Sequence, residues 1–447
     1  MKINLGRLIA GLGIVLGVCA LIVVGSVLRF RGSDQICRGV RVAGIDVGGM
    51  SKAQASDIVQ NWAKKQANRK ITLVALDRRW SGSQADMGVR VDWPASINKA
   101  FAVGRGPFLS STICVLTPNG GCKTITPQYL VDPSRLQKTL HKVAGVVNAP
   151  HKDATLRVVD SHLQIQQDNI GLKLDEEASL AAVSQAVKKG ENLIRLSVVP
   201  DPPDVTAKDA ASIDTLLASF STPFNKGKVA RTHNLTLASN AINGIILKPG
   251  GVFSYNDSVG PRLVGRGYRS AQIFVRGKLE DGIGGGICQV SSTLFNAALM
   301  AGMTIIERSP HSQVVPYVAP GRDATVAYGY TDFRFENSAK NPIGIITSIE
   351  GSRLVVRLYG SASDKKEVTV TTNVLKRSAA ATKTVVDESL PEGQKKVIEQ
   401  GAGGLQVVLY RKLKRIDGSD IIDTFKSTYR AQTTLYAVGP TPQTAAE

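Results

Sequence analysis

Three residues of this 447-residue chain have the types and the order that thiol chemistry requires: Cys288, His311 and Asp323. A cysteine attacks as its thiolate, so it needs a base to take its proton, and that base needs a third group to hold its tautomer. Cys288 follows Gly284, Gly285 and Gly286, a run that permits tight backbone turns and leaves space beside the next side chain. Beyond Cys288, the apolar residues Val290, Leu294, Ala297 and Ala301 recur at helical spacing, and Gly302 closes the stripe. The pattern predicts Cys288 in the first turn of a buried helix. There the positive end of the helix dipole favours a thiolate, and free amides favour a developing oxyanion. His311 follows a strand predicted over 303–307, and Asp323 opens an alternating run over 324–330 that reads as the next strand.

The same block supplies candidate substrate contacts. Gly284, Gly285, Gly286, Gln289 and Ser291 surround the cysteine, and Asn256 lies in Val252-Phe-Ser-Tyr-Asn-Asp257, which offers amides and hydroxyls to a sugar or peptide. That segment reads equally as a strand followed by an Asx turn at Asn256. Each member of the trio has a plain structural alternative too: a packed small thiol, a histidine bonded to a loop carbonyl, an aspartate in a turn beside Arg322. His311, Asp323 and Asp332 have metal-ligand chemistry but no ligand spacing, so no metal is assigned. The glycine run lacks the Lys-Ser/Thr of a phosphate loop, and no cofactor is assigned.

Four segments carry a family resemblance: Lys248-Pro-Gly-Gly-Val-Phe-Ser-Tyr-Asn-Asp257, Gly282-Ile-Gly-Gly-Gly-Ile-Cys-Gln-Val-Ser-Ser-Thr293, Glu307-Arg-Ser-Pro-His-Ser312 and Gly321-Arg-Asp-Ala-Thr-Val326. Together they resemble the VanW family, named after an accessory protein of a vancomycin-resistance cluster, over about a third of the chain. The order of cysteine on a helix start, histidine by one strand and aspartate at the next is similar to the core of transglutaminase and papain-like thiol enzymes. Gln289 stands where those families usually place an aromatic. The family name says little about the reaction; the residues and their order point to a thiol enzyme acting on peptidoglycan amide bonds, with Cys288 as nucleophile, His311 as base and Asp323 as orienting group. The alternative is a non-catalytic scaffold or adhesion protein of the envelope.

The rest of the chain must hold this block in place. Hydrophobic residues are 43% and charged residues 20%, which excludes a chain disordered throughout. Residues 8–28 carry no charge and, at about 1.5 Å per residue, are long enough to span the roughly 30 Å bilayer core. They read as an uncleaved signal-anchor with a short cytoplasmic tail at 1–7, leaving a single-pass plasma-membrane protein with its bulk extracytoplasmic. The net charge of +19 then points to peptidoglycan or another anionic wall polymer as partner. No nucleic-acid motif is present. Cys114 and Cys122 bracket an Asn-Gly turn and are expected to pair locally, leaving Cys37 to pair with Cys288 or Cys288 as a free thiol.

An apolar-Gly-apolar-basic-apolar-Asp pattern at 87–92, followed by Ala-Ser, recurs at 170–175. It predicts two strand-and-helix units, 39–125 and 126–200. The first resembles the peptidoglycan-binding repeats that precede some L,D-transpeptidase and VanW domains, which implies a wall-binding role. A Pro-rich joint at 200–203 leads to the VanW-like block, 204–360. Residues 367–440 alternate as an all-β module and resemble the five-glycine domain through Leu390-Pro-Glu-Gly393, Gly401-Ala-Gly-Gly404, Asp417-Gly418 and Val438-Gly439. That resemblance implies an adhesive or spacer role at the wall. The expected class is therefore an α+β multidomain protein: one transmembrane helix, two α/β units, a central α+β domain headed by the cysteine helix, and a C-terminal all-β module.

Overall fold

The computed structural model describes residues 5–117, 123–275, 278–414 and 419–440. They form two compact units, Met1–Pro150 with Ile170–Asp201, and His151–Asn169 with Pro202–Glu447. The architecture is mixed α+β with an apolar N-terminal helix and an all-β C-terminal module.

In the first unit the Leu5–Arg31 helix is long and apolar enough to cross a membrane, and nearly all of its apolar stretch is exposed. The Lys52–Ala67 helix starts at Ser51, whose hydroxyl and the Gln54 side chain form a reciprocal capping box. The repeated pattern has a physical meaning here. Its aspartates, Asp92 and Asp175, end short strands and cap the Trp93–Ala102 and Glu176–Lys188 helices by accepting from the amides of Ala95 and Ala178. The two stretches are interleaved rather than sequential. Lys70–Ala75 from the first pairs in parallel with Leu193–Arg195 from the second, and one apolar core joins Leu73, Leu136, Val183 and Ile194.

The cysteine pairing differs from expectation. Cys114 lies within the Phe108–Leu116 helix, not on a hairpin strand, and its sulfur bonds to Cys37. The expected partner, Cys122, and the Asn-Gly turn lie outside the described residues. Cys288 is a free thiol, so the pairing with Cys37 does not form.

The second unit is built around the Ile287–Met300 helix, most of whose residues are buried. A four-stranded antiparallel sheet, ordered Thr215–Pro223, Arg353–Gly360, Ile343–Glu350 and Ile246–Leu247, packs on it. Val252–Ser254, Arg334–Glu336 and Thr304–Glu307 form a second sheet, whose Phe253 and Phe335 stack in the core with the adjoining Phe333. The C-terminal module comprises an antiparallel sheet of Val368–Ser378, Gly404–Lys414 and Asp420–Tyr429, and a smaller one of Thr382–Val386, Thr434–Val438 and Lys395–Glu399. The larger sheet is continuous with the central core. Leu409 is buried in that core, and Phe425 meets Phe295 edge-on at 6.0 Å.

Candidate functional site

Gly286 precedes the Ile287–Met300 helix with φ of 112°, a conformation that favours glycine. At Gly285 a Cβ would stand 2.6 Å from the Gln272 carbonyl oxygen and 2.8 Å from that of Ala271, so only glycine lets the Ser270–Val275 strand pass so close. The glycine run thereby fixes where the helix starts and puts Cys288 in its first turn. The thiol is partly buried, and its Sγ lies 3.6 Å from the Val326 carbonyl oxygen.

Buried polar residues on this helix position the aspartate. Ser291 donates to the Ala324 carbonyl at 2.7 Å, Ser292 accepts from the Ala324 amide at 2.9 Å, and Asn296 donates to the Arg322 carbonyl at 2.7 Å. The strand expected over 324–330 therefore does not form. The backbone around Asp323 is satisfied by helix side chains, and only isolated bridges join Ser309 to Thr325 and Ala327 to Thr331.

The Asp323 carboxylate receives four hydrogen bonds. Its Oδ2 accepts from His311 Nδ1 at 2.7 Å and from the His311 amide at 2.6 Å. Its Oδ1 accepts from Arg308 Nη2 at 3.0 Å and from the Tyr429 hydroxyl at 2.5 Å. Burial pushes Asp323 up, yet the His311 bond and the Arg308 charge hold it below the ordinary carboxylate value. With Nδ1 committed to Asp323, Nε2 is the ring nitrogen left to interact with Cys288.

Burial works against a charged imidazole, but the bonds to Asp323 and Cys288 outweigh it and raise His311 to about 9. Burial likewise pushes the Cys288 thiol up, and the hydrogen bond and charge of His311 more than offset this, leaving it below the ordinary thiol value. Both shifts favour the thiolate–imidazolium form of the pair over the neutral form.

Both groups open onto a cavity of about 710 Å³ whose walls include Lys228, Arg231, Arg262 and Tyr317. Gly284, Gly285, Gly286 and Gln289 also line it. The Gln289 amide is engaged within the wall, donating to Thr222 Oγ1 at 3.0 Å and the Pro223 carbonyl at 2.8 Å while accepting from Arg231 at 2.9 Å. Two expected substrate contacts are corrected. Ser291 points to the inner face of the helix and is fully buried against the Asp323 segment. Asn256 donates to the Thr331 carbonyl at 2.9 Å and is also buried, and the cap of its short helix is Ser254 rather than an Asx turn. Asp332 is engaged by Ser254 at 2.6 Å and the Asn256 amide at 2.9 Å.

The sequence did not single out Arg308, Tyr429 or Arg262. Arg308 had a local signal, standing three residues before His311 in a segment already marked as unusual; Tyr429 had none. Asp323 pairs with Arg308, not with its chain neighbour Arg322, which bonds Asn296 at 3.2 Å.

The chain matches the family described as "VanW like protein" over residues 230–359, "Putative peptidoglycan binding domain" over 80–195, and "G5 domain" over 365–440. It is 40% identical over 234 residues to "Uncharacterized protein YoaR" of Bacillus subtilis (strain 168), covering 52% of this chain and 76% of the relative. It is 30% identical over 135 residues to "Vancomycin B-type resistance protein VanW" of Enterococcus faecalis (strain ATCC 700802 / V583), covering 29% of this chain and 49% of that protein. Among solved structures, "Crystal structure of HP0197-G5" aligns at 20% identity with a TM-score of 0.11, covering 16% of this chain and 99% of that one. "IgA1 Protease G5 domain structure" aligns at 16% identity with a TM-score of 0.14, covering 17% and 95%. With the cysteine helix, its histidine and its aspartate all inside the stretch that matches the family, residues 230–359, the chain belongs to the VanW-like family, as a cell-wall-associated member that also carries a peptidoglycan-binding domain and a G5 domain.

Proposed function

We propose that the protein is a membrane-anchored thiol enzyme working outside the cytoplasm on amide bonds in the peptide stems of peptidoglycan. The observation that carries this reading is His311, held through Nδ1 by a fully satisfied Asp323, lining one cavity with Cys288, whose thiol it pulls down. The Cys288 thiolate attacks the amide carbonyl carbon and forms a sulfur–carbon bond. The carbonyl oxygen becomes an oxyanion, to which the free amides of the first helical turn donate. As the intermediate collapses, the carbon–nitrogen bond breaks, and His311 gives its Nε2 proton to the departing amine. A thioester remains. Water or a second amine then attacks it, passes a proton to His311, and releases Cys288 as thiolate. Asp323 stays ionised throughout and holds the imidazole through Nδ1. The Leu5–Arg31 helix serves as the anchor, and the peptidoglycan-binding and G5 regions keep the site at the wall.

The test uses the full-length protein in detergent with soluble peptides released from peptidoglycan, followed by mass spectrometry. The wild type is expected to cleave or exchange an amide and to show a transient adduct on the Cys288 peptide; Cys288→Ala and His311→Ala are expected to do neither. An inert wild type whose Cys288 reacts with iodoacetamide no faster than in His311→Ala sinks the enzymatic reading and leaves a wall-binding scaffold.

A further inference from the structure

The wall of the cavity is basic, and no carboxylate occurs among the described residues that line it. Two of its three long cations are tied to neutral acceptors, Lys228 to Gln272 at 3.1 Å and Arg231 to Gln289 at 2.9 Å. Arg262 is different. Its Nη1 and Nη2 are both shielded from solvent, and neither meets a hydrogen-bond partner. Its guanidinium carbon lies 5.8 Å from the Tyr255 ring centre and 5.7 Å from that of Tyr328, within reach of both aromatic faces. Removing a cation from water without giving it acceptors is unfavourable, so such a group is retained where a ligand brings the acceptors. A guanidinium presents paired N–H donors in a planar fork, and its matching ligand group is a carboxylate, bound through two parallel hydrogen bonds.

We propose that Arg262 is a carboxylate-binding subsite beside Cys288, so that the group acylating the thiol comes from a peptide with a free carboxylate near the scissile amide. In calling the bound peptide a substrate, this rests on the thiol-enzyme reading; the subsite itself does not. The tyrosine rings flank the fork, the cavity admits the peptide, and the ligand's carboxylate, which reaches Nη1 and Nη2 once the side chains covering them shift, supplies the negative charge that the cavity wall lacks.

Two alkylating reagents test this on the full-length protein in detergent. Iodoacetate and iodoacetamide react by one step: the Cys288 thiolate forms a sulfur–carbon bond and iodide leaves. They differ in that one carries a carboxylate and the other a neutral amide. Taking the ratio of their rates cancels any change in thiolate fraction. Relative to the same ratio for free cysteine, the wild type is expected to favour iodoacetate by about tenfold, the factor one additional charge-assisted bond supplies. Arg262→Gln is expected to return the ratio to that of free cysteine, and Arg262→Lys, which keeps the charge but loses the fork, to fall between. Lys226→Gln, an exposed cation near the cavity in sequence, is expected to stay within about twofold of the wild type.

The subsite is overturned by a wild-type ratio equal to that of free cysteine, by an unchanged ratio in Arg262→Gln, or by an equal fall in Lys226→Gln, which marks a diffuse positive field instead. If Arg262→Gln does not fold, the wild-type and Arg262→Lys ratios decide. Slow reaction with both reagents counts against the thiolate reading instead, and the ratio still reports on Arg262.

Discussion

Asp323 holds the protons of this site in order by being unable to take one. Both its oxygens are filled by donors, and its counter-charge, Arg308, is as inaccessible as it is, with side-chain exposures of 3% and 1%. Three predictions belong to this scale. In His311→Ala burial, the largest influence on the sulfur, is opposed only by the smaller effects of the Val326 bond and the Arg262 charge, so the Cys288 midpoint, followed by the pH dependence of iodoacetamide labelling, is expected to move from below the ordinary thiol value to above it. The reciprocal variant, Cys288→Ala, removes two of the contributions that raise His311, so its titration by NMR is expected to fall from about 9. Asp323→Asn leaves the Arg308 charge buried without a counter-ion and is expected to cost about 3–5 kcal/mol in denaturant unfolding. A loss under about 1 kcal/mol, the level of an exposed pair, counts against the burial described here. The three principal residues were legible because cysteine, histidine and aspartate are chemically distinctive and follow a glycine run. Arg308 was not, because the type of a residue does not say which carboxylate it will face.

Among the elements, the Ile287–Met300 helix illustrates what periodicity can and cannot reveal. Its apolar stripe was readable, and so was its start at the glycines. What the stripe hides is that the helix is buried nearly all round, so its polar residues cannot face water. Ser291 reads as available for substrate because a hydroxyl near a cysteine invites it, and Ser292 stands next to it. In a buried helix they must find protein partners instead, and they find the backbone of the Asp323 segment. The same bonds explain why the alternating residues of 324–330 make no strand: alternation predicts a pleated face only where a neighbouring strand takes the backbone bonds. Ser292→Ala leaves the Ala324 amide buried without its acceptor and is expected to lower stability by about 1–3 kcal/mol. Because Asp323 adjoins that amide, iodoacetamide labelling of Cys288 near pH 7 is expected to slow as well. A stability loss with labelling unchanged separates packing from positioning.

Across the second unit as a whole, the C-terminal module is part of the site's support. Composition and glycine pattern read it as an independent β module, and its turn at Asp417-Gly418 lies outside the described residues. Nothing local ties Tyr429 to Asp323, 106 positions away, since a contact at that separation exists only after folding. Yet the Tyr429 hydroxyl donates to the Asp323 carboxylate and accepts from the Gly321 amide at 2.6 Å, while Arg308 reaches Ser427 Oγ at 2.7 Å and Arg411 reaches the Met303 carbonyl at 2.5 Å. A spacer tethered only at its end needs none of these bonds. The module is therefore expected to unfold together with the cysteine helix. Tyr429→Phe keeps the ring and the packing of Phe425 on Phe295, but strands the Gly321 amide and one site on Asp323. Its expected cost is about 1–3 kcal/mol in denaturant unfolding, with the transition of this unit still single. A chain ending at residue 364 loses Leu409 and Phe425 from the core as well and is expected to lose the rapid labelling of Cys288. If that shortened chain labels as fast as the full protein, and Tyr429→Phe unfolds at the same denaturant concentration, the G5 domain is a spacer after all, and Asp323 is held by the central domain alone.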